Sequence, residues 1–185
     1  MEAKINKQFT LEEPIDKVWS FLSSPTEISE CVPGASITEQ IDENNYKGEV
    51  TLKFGPVKSK YDGEITIVEA NEETHKLVLK GRGLDSKGKG SAEMTMEGLA
   101  TVNGNNTDVD FNMTVNIQGT LAQFGSRLIN DVSDQLMKQF VSNFEKLLAG
   151  AEFDNSLKAG AMMGSVIKGK VSGLFKKKNK EEKEA

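Results

Sequence analysis

The side chains best suited to chemistry are few in this chain and lie far apart. The one histidine, His75, follows Glu72 and Glu73 at a predicted strand start, and the one cysteine, Cys31, lies on a predicted short helix. Nucleophilic catalysis and metal binding need several such groups to converge, and this pattern leaves either kind of site without its other parts. We therefore expect His75 to be a solvated strand-end residue and Cys31 to be a buried apolar thiol.

Carboxylates are plentiful, but the alternation of the predicted strands directs them outward. Glu49, Glu64, Glu93 and Glu97 fall on the solvent side of their strands, and other acids fall in turns. General acid–base catalysis needs groups that converge inside a cleft. The distribution therefore favours binding over catalysis.

Three polar residues remain that an apolar ligand site could use. Tyr61 falls on the inward side of its strand, and Gln123 and Arg127 fall at the start of a predicted long helix. A few polar groups in an apolar cavity orient the polar head of a ligand. The alternative is that Tyr61 reaches solvent at its strand end and that Arg127 simply faces water.

The long helix is marked by an apolar residue at every fourth position. Thr120 and Gln123, in capping-box spacing, predict its start. A strict period of four drifts about 40° per step around a helix of 3.6 residues per turn. We expect the first half to roof a cavity and the second half, with Leu147, to clamp the helix to Trp19 and the first strand. The apolar positions are Phe124, Leu128, Val132, Leu136, Phe140, Phe144 and Leu148.

Seven strands are predicted from hydrophobic alternation and turn signals. Two short helices are predicted after the first strand, one beginning at Pro14 and one ending before Pro33. Short connections favour antiparallel hairpins, and an antiparallel sheet with helices on one face is an α+β fold. The strands are predicted at about 3–12, 35–42, 45–54, 57–70, 74–83, 87–102 and 107–117.

The inward positions of these strands are small, with glycine at positions 48, 63, 81, 83, 88, 90 and 98. One interpretation is that the glycines mark bends of a strongly curved sheet. The other is that they hollow out a pocket, and the two are compatible because a curled sheet makes a cup. An empty void of ~300 Å³ would cost ~7 kcal/mol, comparable with the stability of a whole domain, so either the sheet curls until the gap closes or a ligand, a lipid or water fills it. Met94, Met96 and Met113 are either core filler or an adaptable lining for such a pocket.

Charge and cysteine content narrow the class of protein. Of the formal net charge of -5, residues 151–185 carry +3 and residues 1–150 carry -8. The acidic body excludes a nucleic-acid partner, because phosphate contacts need clustered Lys and Arg. The single cysteine excludes an intrachain disulfide, the start Met-Glu-Ala-Lys has no apolar signal core, and no run of 18 apolar residues occurs. We therefore expect a cytoplasmic protein.

Residues 151–185 are expected to form a flexible, amphipathic, basic tail behind a ligand-binding domain at residues 1–150. Apolar side chains and glycines are mixed through residues 156–175, and a lysine cluster follows. Such a segment is typical of peripheral binding to an anionic membrane surface, here the inner face of the cell membrane. A disordered linker or a protein-docking peptide is the alternative. The cluster consists of Lys176, Lys177, Lys178 and Lys180.

Four local motifs occur in an order that resembles a known family. They are Pro14 to Leu22 with Trp19, residues 31–35 (CVPGA), residues 53–57 (KFGPV) and residues 119–129 (GTLAQFGSRLI). Across about residues 1–148 the chain resembles the CoxG family, named for the CoxG subunit of carbon monoxide dehydrogenase, within the SRPBCC, or START-like, superfamily. The resemblance implies a helix-grip fold, in which a seven-stranded curved antiparallel sheet wraps around the long C-terminal helix.

The resemblance also implies a hydrophobic cavity between the sheet and the long helix. It implies an accessory role to molybdenum-containing dehydrogenases, in membrane recruitment and in handling the lipophilic quinone that takes their electrons. Family members often end in a transmembrane or hydrophobic segment, whereas this chain ends in a shorter, glycine-rich, basic one, so we expect reversible membrane association.

We therefore expect a non-catalytic protein that binds menaquinone, ubiquinone or another lipid, without a covalent cofactor or a metal. The alternatives are a cyclase- or hydrolase-like enzyme of the same superfamily and a ligand-free adaptor with a solid interior. The residues expected at the ligand are Tyr61, Met94, Met96, Phe111, Met113, Gln123, Phe124, Arg127, Leu128, Val132 and Leu136.

Overall fold

The computed structural model describes residues 1–54 and 57–156. The predicted lysine cluster, Lys176 to Lys180, therefore lies outside the described residues. Seven strands, two short helices, a 3₁₀ helix and one long helix make up the described chain. In chain order they are β1 (Glu2–Leu11), α1 (Ile15–Leu22), α2 (Pro25–Cys31), β2 (Ala35–Gln40), β3 (Asn45–Phe54), β4 (Val57–Asn71), β5 (Lys76–Asp85), β6 (Gly90–Asn103), β7 (Asn106–Gly119), η1 (Thr120–Phe124) and α3 (Gly125–Leu148).

The seven strands form one sheet in the order β1-β7-β6-β5-β4-β3-β2, and the pairs of neighbours are antiparallel. Consecutive strands β2 to β7 are joined as hairpins, and β1 returns to pair with β7 at the edge. The predicted α+β, helix-grip architecture is confirmed.

The start of the long helix differs from the prediction. Thr120 to Phe124 form a 3₁₀ helix, and α3 begins at Gly125. The Thr120 hydroxyl lies 3.5 Å from the carbonyl oxygen of Lys89 and makes no capping hydrogen bond. The reason is the backbone: Gly119 and Gly125 have φ of 86° and 76°, so two sharp turns separate β7 from α3.

The structure distinguishes the two interpretations of the inward glycines position by position. A Cβ atom at Gly48 would lie 2.8 Å from the carbonyl oxygen of Ser36, and one at Gly63 would press into the backbone of Arg82. These glycines allow neighbouring strands to approach closely where the sheet bends. A Cβ atom at Gly98 would instead meet only Met96 Sδ, at 3.9 Å. The curvature of the sheet therefore explains Gly48 and Gly63, whereas Gly98 borders open space.

The second half of α3 is clamped to β1, as predicted. The rings of Phe9 and Phe140 meet edge to face with centroids 6.1 Å apart, and Phe144 and Leu11 are fully buried in one apolar cluster. The Trp19 part of that prediction is wrong. Because α1 turns Val18 toward this cluster, Trp19 packs against Leu77, Leu79 and Met96 on the sheet instead.

His75 and Cys31 are both packed against other side chains of the fold. His75 is half-buried, with φ of 51°, and its ring meets Trp19 edge to face at 5.4 Å, so the prediction of a solvated histidine is wrong. Cys31 is a fully buried thiol, as predicted. Burial, with the charge of Glu30 as a second cause, raises the pKa of Cys31 to about 12.

Residues 151–156 return along α3 and are bound to the domain. The Gly34 N–H donates to the Asn155 carbonyl oxygen at 2.9 Å, and the Gln139 amide donates to the Ser156 carbonyl oxygen at 3.1 Å. Phe153 packs against the apolar cluster around Phe144. The first residues beyond position 150 are therefore part of the folded domain.

Candidate functional site

The curved sheet and α3 enclose a cup with one closed end. At that end β4 turns into β5 and β6 turns into β7, and α1 and α2 cover the sheet. Val18 and Cys31 from these helices pack with Ala100 and Val109 from the sheet, and these four side chains are at most 4% exposed. A buried hydrogen bond from the Asn143 amide to the Cys31 carbonyl oxygen, 3.1 Å, joins α3 to α2 here.

The opposite end of the cup is formed by connections rather than helices. The β5–β6 connection and the β7–η1 junction meet there, beside the end of β3 and the start of β4. The Ser86 N–H donates to the carbonyl oxygen of Lys60, and the Thr120 N–H donates to that of Lys89, at 2.8 and 3.0 Å.

Burial along the inward face of β7 is highest near its two ends and lower between them. On β7, Val109 and Ile117 are 4% and 6% exposed, while the inward residues between them, Phe111, Met113 and Val115, are half-buried. Close backbone approaches of α3 are mainly to the edge strand β1 and to α2, which itself packs against the opposite edge strand β2. The middle of the inward face therefore keeps accessible surface beneath α3.

Most residues expected at the ligand lie around this region. Met94, Met96, Phe111 and Met113 are half-buried on the middle of the inward face. Tyr61 is 5% exposed and packs in an apolar cluster at the connection end of the cup. On α3, Val132 is buried in that cluster and Leu128 and Leu136 pack against it.

Three expected residues in η1 and the first turn of α3 are exposed. Phe124 keeps 37% of its surface, and Gln123 and Arg127 are also exposed. Arg127 lies five residues before Val132, which places it about 140° away around the helix and off the inward face. Ile129, which lies outside the period of four, is 5% exposed and joins the cluster of Tyr61 instead.

The pattern missed one inward carboxylate. Strand β5 extends to Asp85, two residues beyond its predicted end, and the alternation from Leu77 places Asp85 on the inward face, directly opposite Tyr61. Asp85 is 9% exposed, and Ser59, two residues from Tyr61, is 8% exposed. Burial, with the charge of Asp85 as a second cause, raises the pKa of Tyr61. The expectation that no carboxylate faces inward is therefore wrong.

Two grooves lie on the outer face of the sheet, away from the expected ligand site. One has a volume of about 300 Å³ and the other about 430 Å³, and both are bordered by Glu64 and Arg82. Of the residues expected at the ligand, Met94 borders one of these grooves. Charged and hydroxyl side chains such as Lys80 and Thr114 complete the walls, so neither groove suits an apolar ligand.

A curved antiparallel sheet wrapped around a C-terminal helix defines a helix-grip protein of the SRPBCC, or START-like, class. The model of the family described as the CoxG subunit of carbon monoxide dehydrogenase matches residues 8–149. The chain therefore belongs to the CoxG family.

Solved structures share the architecture at low identity. A conserved protein from Geobacillus kaustophilus is 26% identical, with a TM-score of 0.68 over 81% of this chain and 96% of that one. The Zhui aromatase/cyclase from Streptomyces sp. R1128 is 10% identical, with a TM-score of 0.57 over 80% and 94%. The protein TTHA0849 from Thermus thermophilus is 11% identical, with a TM-score of 0.56 over 81% and 99%. Comparison with curated proteins finds no match.

Within residues 1–54 and 57–156, no helix has both the length and the apolar character needed to cross a bilayer.

Proposed function

We propose that this protein binds an apolar ligand, a quinone, between the middle of its sheet and α3. In this role it is an accessory to a molybdenum-containing dehydrogenase of the carbon monoxide dehydrogenase type. The observation that carries the proposal is the half-buried band of Met94, Met96, Phe111 and Met113 between two closely packed ends of the inward face. The family's description as a dehydrogenase subunit supports the partner.

The chemistry of the band suits a flat or flexible apolar ligand. Methionine side chains are unbranched and polarizable, so they adapt to an irregular surface and pack against aromatic rings. The Met94 side chain folds over Gly81, where a Cβ atom would lie 2.9 Å from its methyl carbon. Because that methyl is the far end of a flexible side chain, the lining can rearrange around a bound ring.

An accessory role in membrane recruitment requires a segment that binds the membrane. We propose that this segment is the basic tail after Ser156, whose lysines attract an anionic surface by about 1 kcal/mol each. Vesicles of neutral and of anionic phospholipid test this part separately. Binding to the anionic vesicles that weakens with salt supports it, and a failure to bind either kind of vesicle contradicts it.

The ligand itself is tested by native mass spectrometry of the purified chain, followed by solvent extraction and identification of the extract. The proposal expects one quinone per chain and its loss on unfolding. An apo mass, with no binding of added short-chain quinone, would contradict it and would favour a ligand-free adaptor.

One observation favours an enzyme as the second candidate. Asp85 and Tyr61 are the convergent, buried polar pair that acid–base chemistry on an apolar substrate would use. We nevertheless propose a non-catalytic role, because the Asp85 carboxylate already accepts two backbone hydrogen bonds and the histidine lies at the closed end of the cup. Recovery of a chemically altered ligand after incubation would favour the enzyme.

A further inference from the structure

Three buried polar side chains lie on the inward face at the connection end of the cup. They are Ser59, Tyr61 and Asp85, each at least nine-tenths buried. Tyr61 is paired with Asp85 across β4 and β5, and Ser59 points to the same face two residues along β4. This polar trio stands beside the apolar cluster of Leu121, Ile129 and Val132.

The polar trio has unused hydrogen-bonding capacity within the described residues. Asp85 Oδ1 accepts from the backbone N–H groups of Lys87 and Lys89, at 2.9 and 3.2 Å, whereas no described residue bonds Asp85 Oδ2 or the Ser59 and Tyr61 hydroxyls. Within residues 1–54 and 57–156, the side-chain atom that is both fully buried and without a hydrogen-bond partner is Gln135 Oε1, which does not belong to the polar trio. The three oxygens therefore border space that a small polar group can enter.

The members of the polar trio differ in whether they can donate a hydrogen bond. Serine and tyrosine hydroxyls donate or accept, and the raised pKa of Tyr61 keeps its proton in place. A carboxylate oxygen only accepts. A ligand hydroxyl facing Asp85 Oδ2 gains a charge-assisted hydrogen bond, whereas a ligand carbonyl oxygen in the same place meets another negative oxygen.

We propose, resting on the function proposed above, that the polar trio selects a ligand whose head donates a hydrogen bond, so that the protein binds a quinol more tightly than the corresponding quinone. A charge-assisted hydrogen bond corresponds to about ten- to a hundredfold in affinity. The protein is then a carrier of the reduced form.

The Asp85→Asn variant tests this with little disturbance of the fold. The asparagine side chain keeps one oxygen to accept from Lys87 and Lys89, and it replaces the free carboxylate oxygen by an amide donor. The matched control is Asp62→Asn on the outer face of the same strand pair, where the side chain is exposed. The probes are a short-chain naphthoquinone and its dithionite-reduced quinol, titrated without oxygen into the full chain.

We expect the wild type and Asp62→Asn to bind the quinol at least tenfold more tightly than the quinone, as one charge-assisted hydrogen bond allows. We expect Asp85→Asn to lose that preference or to reverse it. Equal affinities for the two forms in the wild type, or an unchanged ratio in folded Asp85→Asn, would overturn the selection while leaving the proposed function intact. Binding of neither form would overturn both.

Discussion

The substitution Gly98→Leu tests whether the inward face borders space that a ligand uses. A Cβ atom at this position meets only Met96 Sδ, at 3.9 Å, so we expect a leucine to be accommodated without a shift of the backbone. Its four carbons then fill space that about four methylene-sized groups of a ligand would occupy. At ~0.8 kcal/mol per buried methylene the loss is ~3 kcal/mol, about a hundredfold in affinity. The melting temperature should stay within a few degrees of the wild type.

The matched control is Gly63→Ala, at a position where the strands touch. A Cβ atom there would lie 2.9 Å from the Gly83 Cα atom and closer still to the Arg82 carbonyl oxygen. Overpacking of this kind costs ~1–3 kcal/mol, which lowers the melting temperature by ~2–12 °C in a chain of this size. The affinity of the folded fraction for a ligand should be unchanged.

Calorimetric titration with a short-chain quinone and thermal unfolding measure both effects. If Gly98→Leu binds the quinone as tightly as the wild type, the space at Gly98 is not part of the ligand site. If Gly98→Leu destabilises the fold as much as Gly63→Ala, there is no open space at that position.

Three further predictions concern the stability of the fold around the cup. Phe144→Ala should lower the free energy of unfolding by ~3–5 kcal/mol in urea titrations, because Phe144 is fully buried, whereas Val102→Ala, at a site 65% exposed, should change it by less than ~0.5 kcal/mol. Asn143→Leu should cost ~1–3 kcal/mol by leaving the Cys31 carbonyl oxygen unpaired, and a change below ~0.5 kcal/mol would contradict that. Stability should also fall as the pH rises from 9 toward 12, because the Cys31 thiol ionises near its ordinary pKa of 9.0 when unfolded and near 12 when folded. Cys31→Ala should remove that part of the slope, and identical pH slopes for both proteins would count against it.

The order of elements follows from the sequence because each signal is local. Hydrophobic alternation and short turns define the seven strands, and the period of four from Leu128 to Leu148 defines α3. The start of α3 does not follow, since the positive φ angles of Gly119 and Gly125 override the capping-box spacing. The sequence pattern ends β5 at Gly83 because Asp85 and Ser86 are typical turn residues, although the alternation through Gly81 and Gly83 has the phase that directs Asp85 inward.

The sequence predicts which residues face the inside of the sheet, but it does not predict how deeply each of them is buried. Alternation identifies Met94, Met96, Phe111 and Met113 as inward residues. Whether such residues are packed or accessible depends on where α3 crosses the sheet, and that is set by distant contacts such as Phe9 with Phe140. The same contacts set the rotation of α3, which is why Phe124 is exposed and Ile129 is buried.

A quinone bound between the middle of the sheet and α3, as we propose, can be located by NMR of the chain carrying ¹³C-methyl methionine, titrated with a short-chain quinone. We expect the methyl signals of Met94, Met96 and Met113 to shift in proportion to occupancy, while that of Met137, about 140° around α3 from Val132, stays in place. Saturable quinone binding that leaves the three inward methyl signals unmoved would mean that the quinone does not bind at this place.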